Sequence, residues 1–246
     1  MTERGFKIIE GEDLKSRHDR DPAAFTRLSD YLAASDVAGQ MVAKRRDRIG
    51  RLLSGESRSD ESSRITHMIG KKVIAEGRDT IQGVLGDRLR EAAKYNDQIV
   101  GDAVSKNRAA AIEVDGQLAA SGVYMEWAQV SEGLPTRTLN GRKIYMLTKG
   151  TTLPDFEGRG YNKALRKRRI EMILKEDPDA YILAITKEPF VKKQHPEPKW
   201  KRSTICALLD QCDDRQCTQA KYDYYKNEAE KEGYEAFLLD PKELQE

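Results

Sequence analysis

The sequence LPDFEGRGYNKAL, Leu153 to Leu165, contains two glycines one residue apart. A strand-like run, Lys143 to Leu147, precedes this turn, and a helix-forming run, Asn162 to Glu176, follows it. The first N–H groups of a helix have no intrahelical partner, and they lie at the positive end of the helix dipole. Because glycine has no Cβ, an anion can approach this backbone closely. The stretch therefore predicts a phosphate-binding turn between a strand and a helix.

The composition is that of a folded chain that is polar for its class. Of the 246 residues, 38% are hydrophobic and 34% are charged. The 43 basic and 41 acidic residues leave a formal net charge of +2, which argues against a general nucleic-acid-binding protein. No apolar run reaches the roughly 18 residues of a membrane helix, and acidic residues come too early for a signal peptide. We therefore expect a cytoplasmic protein without membrane or nucleic-acid partners.

The N-terminal half has a helical pattern. Apolar residues recur at three- and four-residue intervals over residues 22–96. Helix-start signals stand before Pro22 and at Ser35–Asp36. The polar stretch SGESRSDESS, Ser54 to Ser63, predicts a loop between helices.

From Asn107 onward, strand-like runs and turns dominate. Asp115–Gly116 between two apolar runs is a strong hairpin signal, and Leu139–Asn140–Gly141 predicts another turn. A late helix is expected over residues 221–231, ended by Gly233. Further strands are predicted at residues 6–9, 142–147, 180–186 and 234–240. We expect a first strand and helical region at 1–100 and an α/β core at 101–246, within one continuous domain.

Taken in this order, residues 107–190 resemble the core of the GNAT superfamily of CoA-dependent N-acyltransferases. The phosphate-binding motif of that family is Q/R-x-x-G-x-G/A, and the matching stretch is Glu157 to Asn162, with Pro154 and Phe156 in the expected places. Two positions depart from the motif: Glu157 stands where the family has Gln or Arg, and Asn162 where it has Gly or Ala. A glutamate beside a pyrophosphate is repulsive unless it points away or is paired.

The resemblance implies an α/β (α+β) fold with a central, mostly antiparallel sheet flanked by helices, here with an enlarged N-terminal helical region. It implies acetyl-CoA as co-substrate and no metal. Amides of the turn would hold the pyrophosphate, the strand end would align the pantetheine arm by backbone pairing, and a splayed neighbouring strand would reach the same arm. The CoA-binding residues that it implies are Gly150, Thr151, Thr152, Glu157, Gly158, Arg159, Gly160, Tyr161, Asn162, Lys163 and Thr186.

Other interpretations of the glycine turn are a plain structural connection, a dinucleotide site and a nucleotide-triphosphate loop. The dinucleotide motif needs a third glycine or alanine at set spacing near the first strand of a βαβ unit. The triphosphate loop needs a Lys followed by Ser or Thr after its glycine, which is missing here. The plain connection stays open. The basic run Arg166 to Arg169 either adds charge for the adenosine phosphate or forms a solvated helix face.

Catalysis would require the neutral form of the acceptor amine. Deprotonating a lysine of pKa ~10.4 at pH 7 costs about 4.6 kcal/mol, so a lysine acceptor needs a base. Glu126 ends the strand GVYMEW and is the candidate base, with an ordinary strand-end carboxylate as the alternative. By the resemblance, a tyrosine protonates the leaving sulfur. Tyr222, Tyr224 and Tyr225 lie in the late helix, and Tyr225 is our choice among them.

The cysteines do not predict a metal site. Cys206, Cys212 and Cys217 lack a C-x₂-C pair, so we expect free thiols and not zinc ligands with His195. The function we expect is transfer of an acetyl group from acetyl-CoA to a primary amine on a small molecule or protein. The alternative is a non-catalytic CoA- or acyl-CoA-sensing module. The oligomeric state stays open, with a homodimer as one candidate.

Overall fold

A computed structural model describes residues 5–49, 58–129, 134–186, 199–213, 219–229 and 233–244. The chain forms two compact units, residues 1–122 with 149–165 and residues 123–148 with 166–246. The helices of the described part are α1 Gly11–Arg20, α2 Pro22–Ile49, α3 Arg58–Glu76, α4 Gly83–Ser105, α5 Tyr161–Glu176, α6 Ile205–Gln211 and α7 Gln219–Tyr224. The strands are β1 Lys7–Glu10, β2 Ala109–Val114, β3 Gln117–Glu126, β4 Thr138–Leu139, β5 Arg142–Thr152, β6 Tyr181–Thr186, β7 Trp200–Ser203 and β8 Glu235–Leu239.

In the first unit, the strands are hydrogen-bonded in the order β1-β2-β3-β5. Strand β1 is antiparallel to β2, with Lys7 opposite Glu113. The β2–β3 hairpin turns at Asp115 and Gly116, whose φ values of 50° and 77° are both left-handed. Two left-handed residues form the turn that matches the twist of paired strands. The predicted hairpin is confirmed.

Helix α2 packs against α3 and α4 in the same unit. Small side chains let these helices approach closely, and β-branched and leucine side chains fill the space between them. The buried members of this core are Ala33, Ala34, Val37, Ile69, Val73, Leu89 and Ala93.

Two sequence predictions about these helices are wrong. Ser35–Asp36 does not begin a helix, because α2 runs through it and the buried stripe continues at Val37 and Ala38. Arg58–Ser63 is not a loop but the start of α3, while residues 54–57 lie outside the described part. At Ser35–Asp36 the polar side chains lie on an exposed face of α2, and at Arg58–Ser63 they stand at the start of α3; local pattern does not separate either place from a turn.

In the second unit, the strand order is β3-β5-β6-β8-β7, with β4 paired to β5. Strands β5 and β6 are parallel, whereas β6–β8, β7–β8 and β4–β5 are antiparallel. Alternate residues of β6 enter two apolar clusters: Tyr181 and Leu183 join one, Ile182 and Ala184 the other. Both faces of this strand are therefore buried, which explains its continuous apolar sequence.

Most of the predicted elements of this unit are present. Strands β6 and β8 lie where predicted, and the turn before β5 contains Asn140 and Gly141 at φ values of 52° and 72°. The late helix is α7, extended by a π-helical turn, Tyr225–Ala229, while residues 230–232 lie outside the described part. Strand β7 and helix α6 were not predicted. The fold class is mixed α/β with an eight-stranded, mostly antiparallel sheet, as expected. Within the described ranges, no helix is long and apolar enough to cross a membrane.

Candidate functional site

The glycine turn joins the end of β5 to the start of α5. Leu153 N–H donates to Ala119 O at 2.9 Å, which ties the end of β5 to β3. Pro154–Phe156 form a single 3₁₀ turn, and the chain then passes through Gly158 and Gly160 at φ values of 74° and 82°. A Cβ added to either glycine would have no atom within 4 Å. The backbone here is therefore exposed on a side where a ligand could contact it directly.

Backbone hydrogen bonds and the packing of an aromatic ring fix the start of α5. Lys163 and Ala164 N–H donate to Gly160 O at 3.1 and 3.2 Å. The Tyr161 ring is buried and packs edge-on against Phe6 of β1, with 5.3 Å between ring centroids. The Asn162 Oδ1 atom is buried and has no hydrogen-bond partner in the part of the chain that is described. The amides of Lys163 and Ala164 are thus paired within the turn, and the backbone that leads into the helix is fixed in position.

The charged side chains of the turn have defined partners. Glu157 Oε1 accepts a hydrogen bond from Tyr31 OH at 2.9 Å, so its carboxylate is paired with α2. Burial and the Glu157 carboxylate raise the pKa of Tyr31 above its usual range. The Arg159 guanidinium donates to Asp155 O at 3.1 Å and lies over the Phe156 ring at 5.4 Å.

The end of β5 carries the predicted pantetheine-binding residues. Thr151 and Thr152 are buried, whereas Gly150 is exposed. Lys149, directly before them, has a left-handed φ of 48°, which marks a local irregularity in the strand. Its ammonium lies 3.5 Å from the Asp36 carboxylate.

The parallel pair β5–β6 is connected through the glycine turn and α5. Its ladder joins Ile144–Leu147 to Tyr181–Ala184. Both strands continue beyond the ladder, β5 to Thr152 and β6 to Thr186.

No family model matches the chain, and no curated protein matches it by sequence. A GNAT family acetyltransferase from Brucella melitensis, solved with acetyl-CoA, matches at 11% identity and TM-score 0.37, over 81% of this chain and 84% of that chain. A GCN5-related N-acetyltransferase from Kribbella flavida matches at 12% identity and TM-score 0.36, over 80% of this chain.

N-acetylglutamate synthase from Neisseria gonorrhoeae, solved with coenzyme A and N-acetyl-glutamate, matches at 9% identity and TM-score 0.37, over 58% of this chain. The chain spans only 27% of that protein and 33% of the Kribbella flavida protein. At such identities and TM-scores, the substrates of these proteins do not transfer to this chain.

The candidate base, Glu126, lies at the end of β3 in the second unit. Its carboxylate is buried, at 8% exposure. Thr136 Oγ1 donates to Glu126 Oε2, and Lys143 Nζ lies 3.9 Å from Oε1. The carboxylate is therefore contacted by a hydroxyl on one oxygen and by a cation on the other.

The candidate acid, Tyr225, begins the π-helical turn after α7. It is 8% exposed and belongs to an apolar cluster of the second unit, whereas Tyr224 is 45% exposed. Lys221 Nζ lies 5.3 Å from the Tyr225 ring centroid. Thr186, also in this unit, is half-buried opposite Glu235 of β8. Tyr225 is thus a largely buried phenol near a cation, and it stays the candidate.

The basic run of α5 is not a uniform solvated face. Arg168 pairs with Glu171 at 2.8 Å on the surface, but Arg169 is buried. Arg169 Nη1 donates to Val123 O at 2.9 Å and to Thr148 O at 3.0 Å. Burial and the neighbouring Arg166 charge lower the pKa of Arg169 to about 10, which leaves it charged at neutral pH. The helical period places residue 169 on the buried face of α5. Its role as a buried hydrogen-bond donor was not predicted, because basic side chains are usually exposed.

No group of three or more potential metal ligands is found among the described residues. Cys206 and Cys212 are buried free cysteines. His195 and Cys217 lie outside the described part.

Proposed function

We propose that the chain is an N-acyltransferase that moves an acetyl group from acetyl-CoA directly to a primary amine on a small molecule or a protein. The geometry of the glycine turn carries this proposal. Gly158 and Gly160 are left-handed, exposed and free of steric neighbours, and they lead into a helix of 16 residues. This combination suits a diphosphate, because amides and a helix dipole meet its oxygens where no side chain intervenes.

Residues on either side of the turn would make the remaining contacts to acetyl-CoA. The main chain of Gly150–Thr152 would pair with the amides of the pantetheine arm. Lys163, exposed in the first turn of α5, would add a positive charge near the phosphates.

The reaction needs two proton transfers. The amine nitrogen attacks the thioester carbonyl carbon, the C–S bond breaks, and the products are an N-acetyl amine and CoA thiol. Glu126 would accept the proton that the attacking amine loses, and Tyr225 would donate a proton to the leaving sulfur.

A CoA-sensing module without turnover is the second candidate. One observation favours it: both candidate catalytic groups are already engaged, Glu126 by Thr136 and Lys143, and Tyr225 by its apolar cluster. A sensor would use the same turn and would release no CoA thiol.

Two measurements test these proposals. Calorimetric titration with acetyl-CoA should show binding that Gly160→Asp abolishes, because the new carboxylate would stand where the diphosphate binds. Gly77→Asp is the matched control: Gly77 also has a left-handed φ, 86°, and open space at its Cβ position. Equal binding by the Gly160→Asp variant would refute the site. Release of CoA thiol with a panel of amines then separates the enzyme from the sensor.

A further inference from the structure

The hydroxyl of Tyr31 contacts the glycine turn from a distant part of the sequence. Tyr31 lies in α2, 126 positions before Glu157, and its side chain is 7% exposed. Its OH donates to Glu157 Oε1 at 2.9 Å. Glu157 is the residue that opens the glycine turn, and it is the position at which an acidic side chain is least compatible with a bound phosphate.

Helix α3 fixes the position of the Tyr31 ring. Gly70 faces this ring so closely that an added Cβ would lie 2.3 Å from Cδ2 and Cε2 of Tyr31. Such a contact is far below van der Waals distance, so any residue other than glycine would displace the ring. A continuous line of contacts thus runs from Gly70 in α3 through Tyr31 in α2 to Glu157 in the turn.

We infer that Tyr31 is a positioning residue for anion binding: it holds the Glu157 carboxylate against α2 and keeps that negative charge away from the phosphate position at Gly158–Gly160. The inference rests on the proposed function, since it concerns the same turn. Without the phenol, the carboxylate of this exposed residue is free to rotate toward the amides that would bind phosphate. A carboxylate there competes with the ligand for the same donors and repels it.

Burial and the Glu157 carboxylate raise the pKa of Tyr31, so the phenol keeps its proton at neutral pH. The phenol therefore stays a hydrogen-bond donor to Glu157 there. The hydrogen bond should affect the affinity for charged ligands and not for uncharged ones. A residue with a general structural role would affect the affinity for both.

The test compares CoA with pantetheine, which has the same arm but no diphosphate. In Tyr31→Phe, we expect CoA to bind roughly five- to tenfold more weakly and pantetheine to bind unchanged. In a Glu157→Gln background, the same Tyr31→Phe change should have no effect on CoA binding, because no carboxylate charge is left. Tyr95→Phe, which removes a half-exposed phenol on α4, is the matched control and should leave both affinities unchanged.

Gly70→Ala should reproduce the loss of CoA affinity by displacing the Tyr31 ring, whereas Gly101→Ala should not, because a Cβ at Gly101 has no atom within 4 Å. Circular dichroism checks that each variant is folded. Should Tyr31→Phe unfold, the Glu157→Gln variant alone still tests the inference, because it must bind CoA at least as tightly as the wild type. Equal CoA binding by folded Tyr31→Phe, or equal loss of both ligands, overturns the inference and leaves the proposed function intact. A folded wild type that binds no CoA overturns both.

Discussion

Replacing Arg169 by methionine should destabilise the second unit more than any change at the surface of α5. The guanidinium lies inside the unit and donates to the carbonyls of Val123 in β3 and Thr148 in β5, at 2.9 and 3.0 Å. Methionine matches the arginine side chain only over its aliphatic stem, and it donates no hydrogen bond. Both carbonyls would then lose a charged donor, where the hydrogen bond to Val123 is buried and that to Thr148 is partly buried.

The magnitude follows from two opposing contributions. Each hydrogen bond to a charged group contributes about 1.5–3 kcal/mol, and a buried carbonyl left unpaired costs about 1–3 kcal/mol. Removing the buried charge recovers part of its desolvation penalty, which is several kcal/mol. We expect a net decrease of about 2–4 kcal/mol in the free energy of unfolding, which corresponds to a Tm lower by roughly 5–15 °C in a chain of this size.

Urea unfolding and thermal melts followed by circular dichroism measure this change. The matched control is Arg168→Met, which removes a neighbouring arginine whose pair with Glu171 is exposed. That control should change stability by less than about 0.5 kcal/mol. Equal stability of Arg169→Met and the wild type, or equal losses in the two variants, would show that the buried guanidinium does not hold these strands.

Three further outcomes are expected. Arg142 donates two hydrogen bonds to Asp240 and holds the pKa of that carboxyl below its usual range, so the pair stabilises the fold above about pH 4 and loses this effect as pH falls through the lowered pKa. Asp240→Asn should therefore lower the free energy of unfolding by about 1 kcal/mol at pH 7, with a smaller difference at pH 3, as urea titrations would show. Glu126→Gln should lower kcat about 100-fold while the calorimetric Kd for acetyl-CoA stays unchanged; full activity would exclude it as the base. Tyr225→Phe should also lower kcat about 100-fold, and a greater effect on KM than on kcat would argue against a role in protonating the sulfur.

The sequence predicted those elements that depend on a few neighbouring residues. The Asp115–Gly116 hairpin depends on two residues that tolerate a left-handed backbone, and the glycine turn depends on Gly158 and Gly160 for the same reason. Strand β6 was predictable because burial on both faces leaves a continuous apolar run.

Other features depend on tertiary contacts that no local pattern contains. Tyr31 and Glu157 are 126 positions apart in the sequence, so the partner of the unusual acidic residue in the turn could not be read from its neighbours. Strand β7 is an edge strand, since it is hydrogen-bonded to β8 alone in the described sheet. An edge strand can be short and charged, so its sequence has no strand-like apolar pattern. The continuity of α2 through Ser35–Asp36 follows from the apolar core that it shares with α3 and α4.

The pairing of β1 with β2 also has a consequence for how the protein is made. Lys7 is paired with Glu113, 106 positions later in the chain. The ribosome must therefore release helices α1 to α4 before β1 can be hydrogen-bonded to β2. A chain stalled in this interval would carry an unpaired strand, whose free backbone groups promote aggregation.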